Sequence, residues 1–134
     1  MTPENKKENI QDELVRADQA AREADLLFAN GYTVGAVSRL YYWLFHTVRG
    51  LLLVEGLQPR SHEGALRLFS LHFVKTGLFA ADDGHIFARL MKYRQEADYN
   101  ASYVFGQSDY PEFKKDADKL CSKIHRYLAQ KGYA

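Results

Sequence analysis

Apolar residues recur at intervals of three and four along most of this chain, which is the spacing that lines one face of an α-helix. The pattern predicts five helices, over about residues 4–29, 33–54, 61–75, 83–99 and 111–130. Gly31, Gly56 and Gly77 each follow one of the first three, where a glycine readily takes the left-handed conformation that ends a helix. No segment alternates apolar and polar residues for long enough to predict a strand.

These elements predict an all-α fold, namely an up-and-down four-helix bundle to which the short third helix is added. The first two helices are joined by residues 30–32 alone, so they should be antiparallel neighbours. Small residues on the first helix, such as Ala17, Ala21 and Ala24, would allow the second helix to approach closely. At 134 residues we expect one domain over residues 1–134, with its core at about 4–130.

Polar residues at the predicted helix starts indicate side-chain caps. Serine, threonine and aspartate accept hydrogen bonds there from backbone N–H groups that have no partner within the helix. The candidates are Thr33 for the second helix, Ser61 for the third, Asp82 or Asp83 for the fourth, and Ser108 or Asp109 for the fifth.

The second helix carries two different stripes, and its apolar stripe is predicted to be the centre of the core. The apolar stripe consists of Val37, Tyr41, Phe45, Val48 and Leu52. The second stripe, called the polar stripe below, consists of Arg39, Tyr42, His46 and Arg49. Such side chains suit a partly buried contact, a ligand site or a subunit interface better than open solvent.

Composition narrows the classes of function. The formal net charge is +1, so a strongly basic surface for nucleic acid is not expected, although a local basic patch is compatible with it. Cys121 is the single cysteine, which excludes an intramolecular disulfide. The N-terminus lacks the apolar run of a secretory signal, and the longest apolar runs are shorter than the roughly 18 residues of a membrane span. We therefore expect a soluble, cytoplasmic protein.

Short catalytic motifs are absent. The chain has no phosphate loop, no paired CxxC, no HExxH pattern and no nucleophile elbow. Its five histidines lack the spacing of metal ligands. We therefore expect no metal and no cofactor.

The polar stripe is the first candidate site, and it has two interpretations. In the structural one, Arg39 and Arg49 pair with acids, Tyr42 packs its ring and His46 is an internally bonded histidine. In the functional one, the two arginines hold the phosphate of an anion or RNA and His46 transfers a proton.

The end of the fourth helix is the second candidate site. Arg94 and Asp98 stand four residues apart and can form an ion pair on one helix face. This pair is either a helix-closing salt bridge with Tyr99 in the core, or part of a polar cleft that faces Tyr42 and His46.

The start of the third helix is the last candidate. Arg60, Ser61 and His62 are either loop and cap residues, or they bind an anion at the helix N-terminus.

The order and spacing of several short segments resemble the HEPN domain family (higher eukaryotes and prokaryotes nucleotide-binding), and especially its small stand-alone prokaryotic members. The resemblance covers roughly residues 12–130. The matching segments are residues 24–28, Gly31-Tyr32, residues 38–46, residues 61–64, residues 73–77, and Arg94 with Asp98-Tyr99.

This resemblance implies a helical bundle, frequent homodimers, and genomic pairing with a minimal nucleotidyltransferase, often as a toxin–antitoxin system. For many members it also implies metal-independent ribonuclease activity. The catalytic signature is then an arginine followed, after four to six residues, by a histidine on a late core helix. Here Tyr99 stands where a histidine would follow Arg94. The same loose spacing recurs at Arg39 and His46.

The preferred hypothesis is a HEPN protein that dimerises and serves as the binding or partner module of a nucleotidyltransferase in a toxin–antitoxin-like system. One alternative is a metal-independent endoribonuclease with His46 and Arg94 as catalytic residues. Another is a module that binds a nucleotide or a small anion in the same cleft. The residues assigned to the cleft are Arg39, Tyr42, Arg49, Arg60, Ser61, His62, Asp98 and Tyr99.

Overall fold

The computed structural model describes residues 2–134. Helices and the loops between them make up this part of the chain, which contains no strand, so the predicted all-α class is confirmed. The helices are α1 (Pro3–Ala29), α2 (Thr33–Val54), α3 (His62–Phe69), α4 (Ala81–Tyr99) and α5 (Asp109–Gln130). At Ser70–Val74, α3 continues into a wider π-helical turn. Within residues 2–134, every helix is too short or too polar to cross a lipid bilayer.

The central helix is α2, which packs against α1, α3, α4 and α5. Its predicted apolar stripe is buried along its whole length. Leucines outside that stripe are buried as well, because neighbours cover α2 from several directions; these are Leu40, Leu44, Leu51 and Leu53. The polar stripe is half-buried, so it lies at the border between this core and solvent.

An antiparallel hairpin is formed by α1 and α2, as their short connection predicted. Gly31 takes a φ of 84° in the turn. Near one end of the hairpin Gly35 lies against Leu27, and near the other end Gly50 lies against Glu13. Ala24 is fully buried against α2, so the small residues of α1 do bring the two helices close together.

Buried aromatic rings hold α3 and α4 in place against α2. Phe87 of α4 lies 6.1 Å from Tyr41 of α2 and 6.0 Å from Phe69 of α3, measured between ring centres. Phe79, in the loop before α4, packs on Phe69 and Phe73. These contacts determine where the first turn of α3 and the last turns of α4 meet the polar stripe.

The predicted cap of α3 is confirmed, and that of α2 is wrong. Ser61 Oγ accepts a hydrogen bond from the backbone N–H of Gly64 at 2.9 Å. Thr33 is instead the first helical residue of α2, and Tyr32 precedes it without a side-chain cap.

The other two predicted caps act from inside their helices, because both helices begin two residues earlier than expected. An Asp83 carboxylate oxygen accepts from the backbone N–H of Ala80 at 2.8 Å. Asp109 accepts in the same way from Gly106, also at 2.8 Å.

The close packing of α1 on α2 can be tested with Ala24→Leu. The larger side chain would meet Ala36, Val37 and Leu40, so we expect the free energy of unfolding to fall by about 1–3 kcal/mol in urea titrations. Ala29→Leu places the same side chain on an exposed part of α1 and should change it by less than about 0.5 kcal/mol. Equal effects of the two variants would contradict this packing.

Candidate functional site

Arg94 is a buried cation with few partners. It lies near the end of α4 and is 5% exposed. Its Nη1 atom is 3.7 Å from Oδ2 of Asp98, which is longer than a hydrogen bond. Its Nε atom has no hydrogen-bond partner among the described residues. Asp98 is thus a counter-charge without a hydrogen bond, and an anion that reached the guanidinium would supply the acceptors that Arg94 lacks.

Three tyrosine rings surround this guanidinium. Its central carbon lies 5.4 Å from the ring centre of Tyr41, 5.9 Å from that of Tyr42 and 5.7 Å from that of Tyr99. Aromatic faces attract cations and therefore stabilise Arg94. Tyr99 is 77% exposed, which contradicts the interpretation that places it in the core.

His62 reaches the same place from α3. The Ser61 cap makes His62 the first helical residue, and its Nδ1 atom lies 2.7 Å from the buried hydroxyl of Tyr41. The imidazole ring also packs on Phe45, with 4.5 Å between ring centres. Burial, followed by the charge of Arg94, lowers the pKa of His62 below its usual value. Burial also raises the pKa of Tyr41, so its phenol stays protonated.

We call the group formed by Tyr41, Tyr42, His62, Arg94, Asp98 and Tyr99 the α2–α4 site. The structure thus brings together residues from all three candidate sites of the sequence. Tyr42 connects them, because its ring lies near both His62 and Arg94. This arrangement presents a cation, an imidazole and phenol rings around one point, which is a chemistry suited to an anion with an attached aromatic group.

His46 and Arg49 turn toward α1 instead. Glu13 accepts a hydrogen bond from His46 Nδ1 at 2.8 Å and another from Arg49 Nε at 3.2 Å. Burial would raise the pKa of Glu13, but the bond to His46 and the charge of Arg49 outweigh it, and the pKa is lowered. The three side chains therefore form one charged network between α1 and α2.

Glu13 had no place in the sequence-based site. A signal was nevertheless present, because Glu13 stands three residues after Ile10 and four before Ala17, on the face that α1 buries. An acid at a core-facing position, opposite a helix with a His and an Arg, indicates an internal ion pair.

The remaining predicted residues lie at the edges. Arg39 stacks on Tyr42 with its guanidinium carbon 4.9 Å from the ring centre, and it pairs with Glu23 of α1 at 3.4 Å. Arg60 is exposed in the loop before α3. The oxygen of Ser61 is engaged in its cap.

A separate polar pocket of about 230 Å³ lies on the α1 side of the Glu13 network. Its charged lining mixes Asp12 and Glu13 with Arg16 and Arg49, so opposite charges balance there. An anion would therefore find no excess of positive charge in this pocket. Within residues 2–134, His, Cys, Asp and Glu side chains form no group of three or more that could hold a metal ion. Cys121 is buried, which raises the pKa of its thiol to about 12.

Comparison with known proteins places this chain in a family. A family model described as HEPN domain matches residues 10–127. The chain belongs to the HEPN domain family. This confirms the resemblance seen in the sequence, and the helical structure agrees with it.

Several relatives of this HEPN protein have been named. It is 36% identical over 93 residues to a "Putative toxin" of Methanocaldococcus jannaschii, covering 69% of each chain. A second "Putative toxin" of that organism is 29% identical over 122 residues, which are 91% of this chain and 78% of the relative. A "UPF0332 protein" of Pyrococcus horikoshii is 39% identical over 70 residues, which are 52% of this chain and 49% of the relative.

The Glu13 network can be tested by stability measurements as a function of pH. Glu13→Gln should lower the free energy of unfolding by about 1–3 kcal/mol at neutral pH, because His46 and Arg49 lose a charged acceptor. The folded-state pKa of Glu13 lies below its ordinary value of 4.5, so its contribution is present above that value and is lost as pH falls through the lowered pKa. The difference between wild type and variant should therefore shrink below pH 4.5.

Glu8→Gln provides the control, because Glu8 is exposed on the same helix. We expect its effect to stay within about 0.5 kcal/mol at every pH. A Glu13→Gln effect that is independent of pH, or no larger than that of the control, would contradict an ionised Glu13 in this network.

Proposed function

We propose that this chain is the toxin-like HEPN component of a two-protein system, and that it acts as a homodimer with a minimal nucleotidyltransferase as its partner. We also propose that its α2–α4 site binds the phosphate of RNA or a nucleotide. The family membership and two relatives named "Putative toxin" support the system. The dimer and the nucleotidyltransferase are expectations from the HEPN resemblance.

The observation that carries the phosphate site is the incomplete pairing of Arg94. A cation at 5% exposure normally has a close carboxylate or several acceptors, yet the carboxylate beside Arg94 is 3.7 Å away. A phosphate oxygen is a strong acceptor for a guanidinium, which offers a planar set of donors. Hydrogen bonds to a bound phosphate would thereby offset the unfavourable desolvation free energy of the buried Arg94.

Tyr99 favours a nucleotide over a simple anion. Its ring is next to Arg94 yet 77% exposed, so a base attached to a bound phosphate can stack on it. Stacking of this kind tolerates any base and is common in proteins that bind single strands.

A metal-independent endoribonuclease is the second candidate, and one observation favours it. Glu13 orients His46 through Nδ1, which leaves Nε2 available as a proton acceptor. This is how a carboxylate prepares a histidine to act as a general base. Arg94 would then stabilise the charge that develops on the phosphate.

Binding can be tested with Arg94→Met, which removes the charge and keeps much of the volume. Using fluorescence anisotropy with a short fluorescein-labelled single-stranded RNA, we expect affinity to fall at least about tenfold. Arg89→Met is the matched control, because Arg89 lies on the same helix, is partly exposed and pairs with Asp116. It should change affinity by less than about threefold.

Thermal unfolding completes this test. Arg94→Met should unfold at the same temperature as wild type or higher, since it removes a buried charge that lacks a close partner. Wild-type RNA affinity in Arg94→Met, or equal losses of affinity in Arg94→Met and Arg89→Met, would contradict the proposed phosphate site.

Ribonuclease activity is tested with the same RNA in EDTA. If the second candidate is correct, wild-type protein cleaves the RNA, while His46→Ala and Arg94→Met do not. The control variant Arg89→Met should cleave at the wild-type rate. No cleavage by pure wild type, under conditions where it binds this RNA, argues against the enzyme for this substrate and leaves the binding function in place.

The dimer and the partner need separate measurements. Light scattering on the purified protein should give twice the 15.4 kDa mass of the chain at micromolar concentration. A minimal nucleotidyltransferase encoded beside this chain should co-purify with it. A monomer would contradict the dimer, and the lack of both a neighbouring gene and co-purification would contradict the partner.

A further inference from the structure

We propose that Tyr41 holds His62 as the neutral tautomer with its proton on Nε2, and that this N–H donates a hydrogen bond to the phosphate oxygen next to Arg94. His62 is then a phosphate-binding residue, and Tyr41 is its positioning residue. This inference rests on the phosphate binding proposed for the α2–α4 site. It assigns to His62 a role distinct from proton transfer.

The direction of the Tyr41–His62 hydrogen bond follows from burial. Tyr41 is 0% exposed, and in the described part of the chain its hydroxyl has one hydrogen-bond partner, the Nδ1 atom of His62 at 2.7 Å. If Nδ1 carried the proton, the hydroxyl would accept and its own hydrogen would have no acceptor in the core. An unsatisfied buried donor is unfavourable, so the hydroxyl donates and Nδ1 accepts.

The proton of the neutral ring must then be on Nε2. That atom has no hydrogen bond to a described residue, and it is not among the buried atoms that lack a partner, so it is open to solvent. The ring packs on Phe45 and lies edge-on to Tyr42, which fixes the direction of Nε2. A donor held in this way loses little freedom when a ligand binds.

Charged groups around His62 come from three helices. Arg49 approaches from α2 and Glu63 from α3, while Arg94 and Asp98 approach from α4, and the phenols of Tyr41 and Tyr42 complete the surroundings. Burial and Arg94 lower the pKa of His62, so the ring is neutral at physiological pH. Its contribution to binding should therefore change little between about pH 7.5 and pH 8.5, a range about one unit or more above the ordinary histidine pKa.

His46 offers an internal comparison, because its partner imposes the opposite tautomer. The ionised carboxylate of Glu13 can only accept, so Nδ1 of His46 carries a proton and donates it. The two histidines flank Tyr42, with ring centres 6.4 Å and 6.0 Å from its own. When neutral, His46 thus presents an acceptor at Nε2, whereas His62 presents a donor at Nε2.

Nitrogen NMR on full-length protein labelled with ¹⁵N-histidine reads the tautomer directly, and His62→Gln identifies the His62 signals. We expect a protonated Nε2 and an unprotonated Nδ1 from about pH 7.5 to pH 8.5. Tyr41→Phe should release the ring into a mixture of tautomers, with a folded protein shown by its circular dichroism. A wild-type His62 with its proton on Nδ1, or doubly protonated at neutral pH, would overturn the proposal.

Anisotropy with the same labelled RNA, which lacks a terminal phosphate, tests the role in binding. His62→Ala should weaken binding by about tenfold, and His62→Gln by less than about threefold, because the glutamine amide can also donate. Both measurements are made in a His46→Gln background, so that His46, which lies on the other side of Tyr42, adds no binding of its own. Affinity in that background should vary by less than about twofold between about pH 7.5 and pH 8.5.

Arg94→Met distinguishes a failure of the proposed phosphate site from a failure of the role proposed for His62. If this variant binds RNA like wild type, the phosphate site itself is absent. If Arg94→Met loses binding while His62→Ala binds like wild type, the site stands and the role of His62 is wrong. Loss in both, with retention in His62→Gln, is the result that supports this proposal.

Discussion

Because four other helices cover α2, each polar group on it must find a partner inside the protein or at the half-buried border of the core. The apolar stripe of α2 satisfies this constraint by packing. Its polar stripe satisfies it in two ways, since His46 and Arg49 bind Glu13 of α1 while Tyr42 remains beside Arg94 of α4. The same constraint therefore creates an internally neutralised network on one side and an incompletely paired cation on the other.

The difference between the Glu13 network and Arg94 determines which of them has hydrogen-bonding capacity left for a ligand. A network in which every charge is bonded stabilises the contact between α1 and α2, and it offers a ligand no unpaired charge. Arg94 differs, because its nearest carboxylate is too far for a hydrogen bond and its surroundings are phenol rings. Such a site gains more from a bound phosphate than a solvated surface arginine would, since the desolvation of the cation is already complete.

The histidines extend this contrast. His46 is hydrogen-bonded to a carboxylate, and His62 is hydrogen-bonded to a phenol. The two rings therefore carry their protons on different nitrogens, although both are neighbours of Tyr42. A family membership alone does not distinguish them. The partner of each Nδ1 atom does, because an ionised carboxylate must accept whereas a buried phenol must donate.

Much of this protein could be predicted from its sequence. The three-and-four spacing of apolar residues located the helices, and the short connection at Gly31 determined that α1 and α2 are antiparallel. The polar stripe was recognisable because Arg39, Tyr42, His46 and Arg49 share one face of α2, and face sharing depends only on helix geometry.

Partners across helices could not be found in this way, because they depend on how α1, α3 and α4 pack around α2. Only the tertiary structure placed Glu13 under His46 and Tyr41 against His62, with Tyr99 in solvent beside a buried Arg94. The sequence thus determined which faces carry chemistry, through the local periodicity of the helices. The packing of distant helices decided which of those groups are neutralised and which remain open to a ligand.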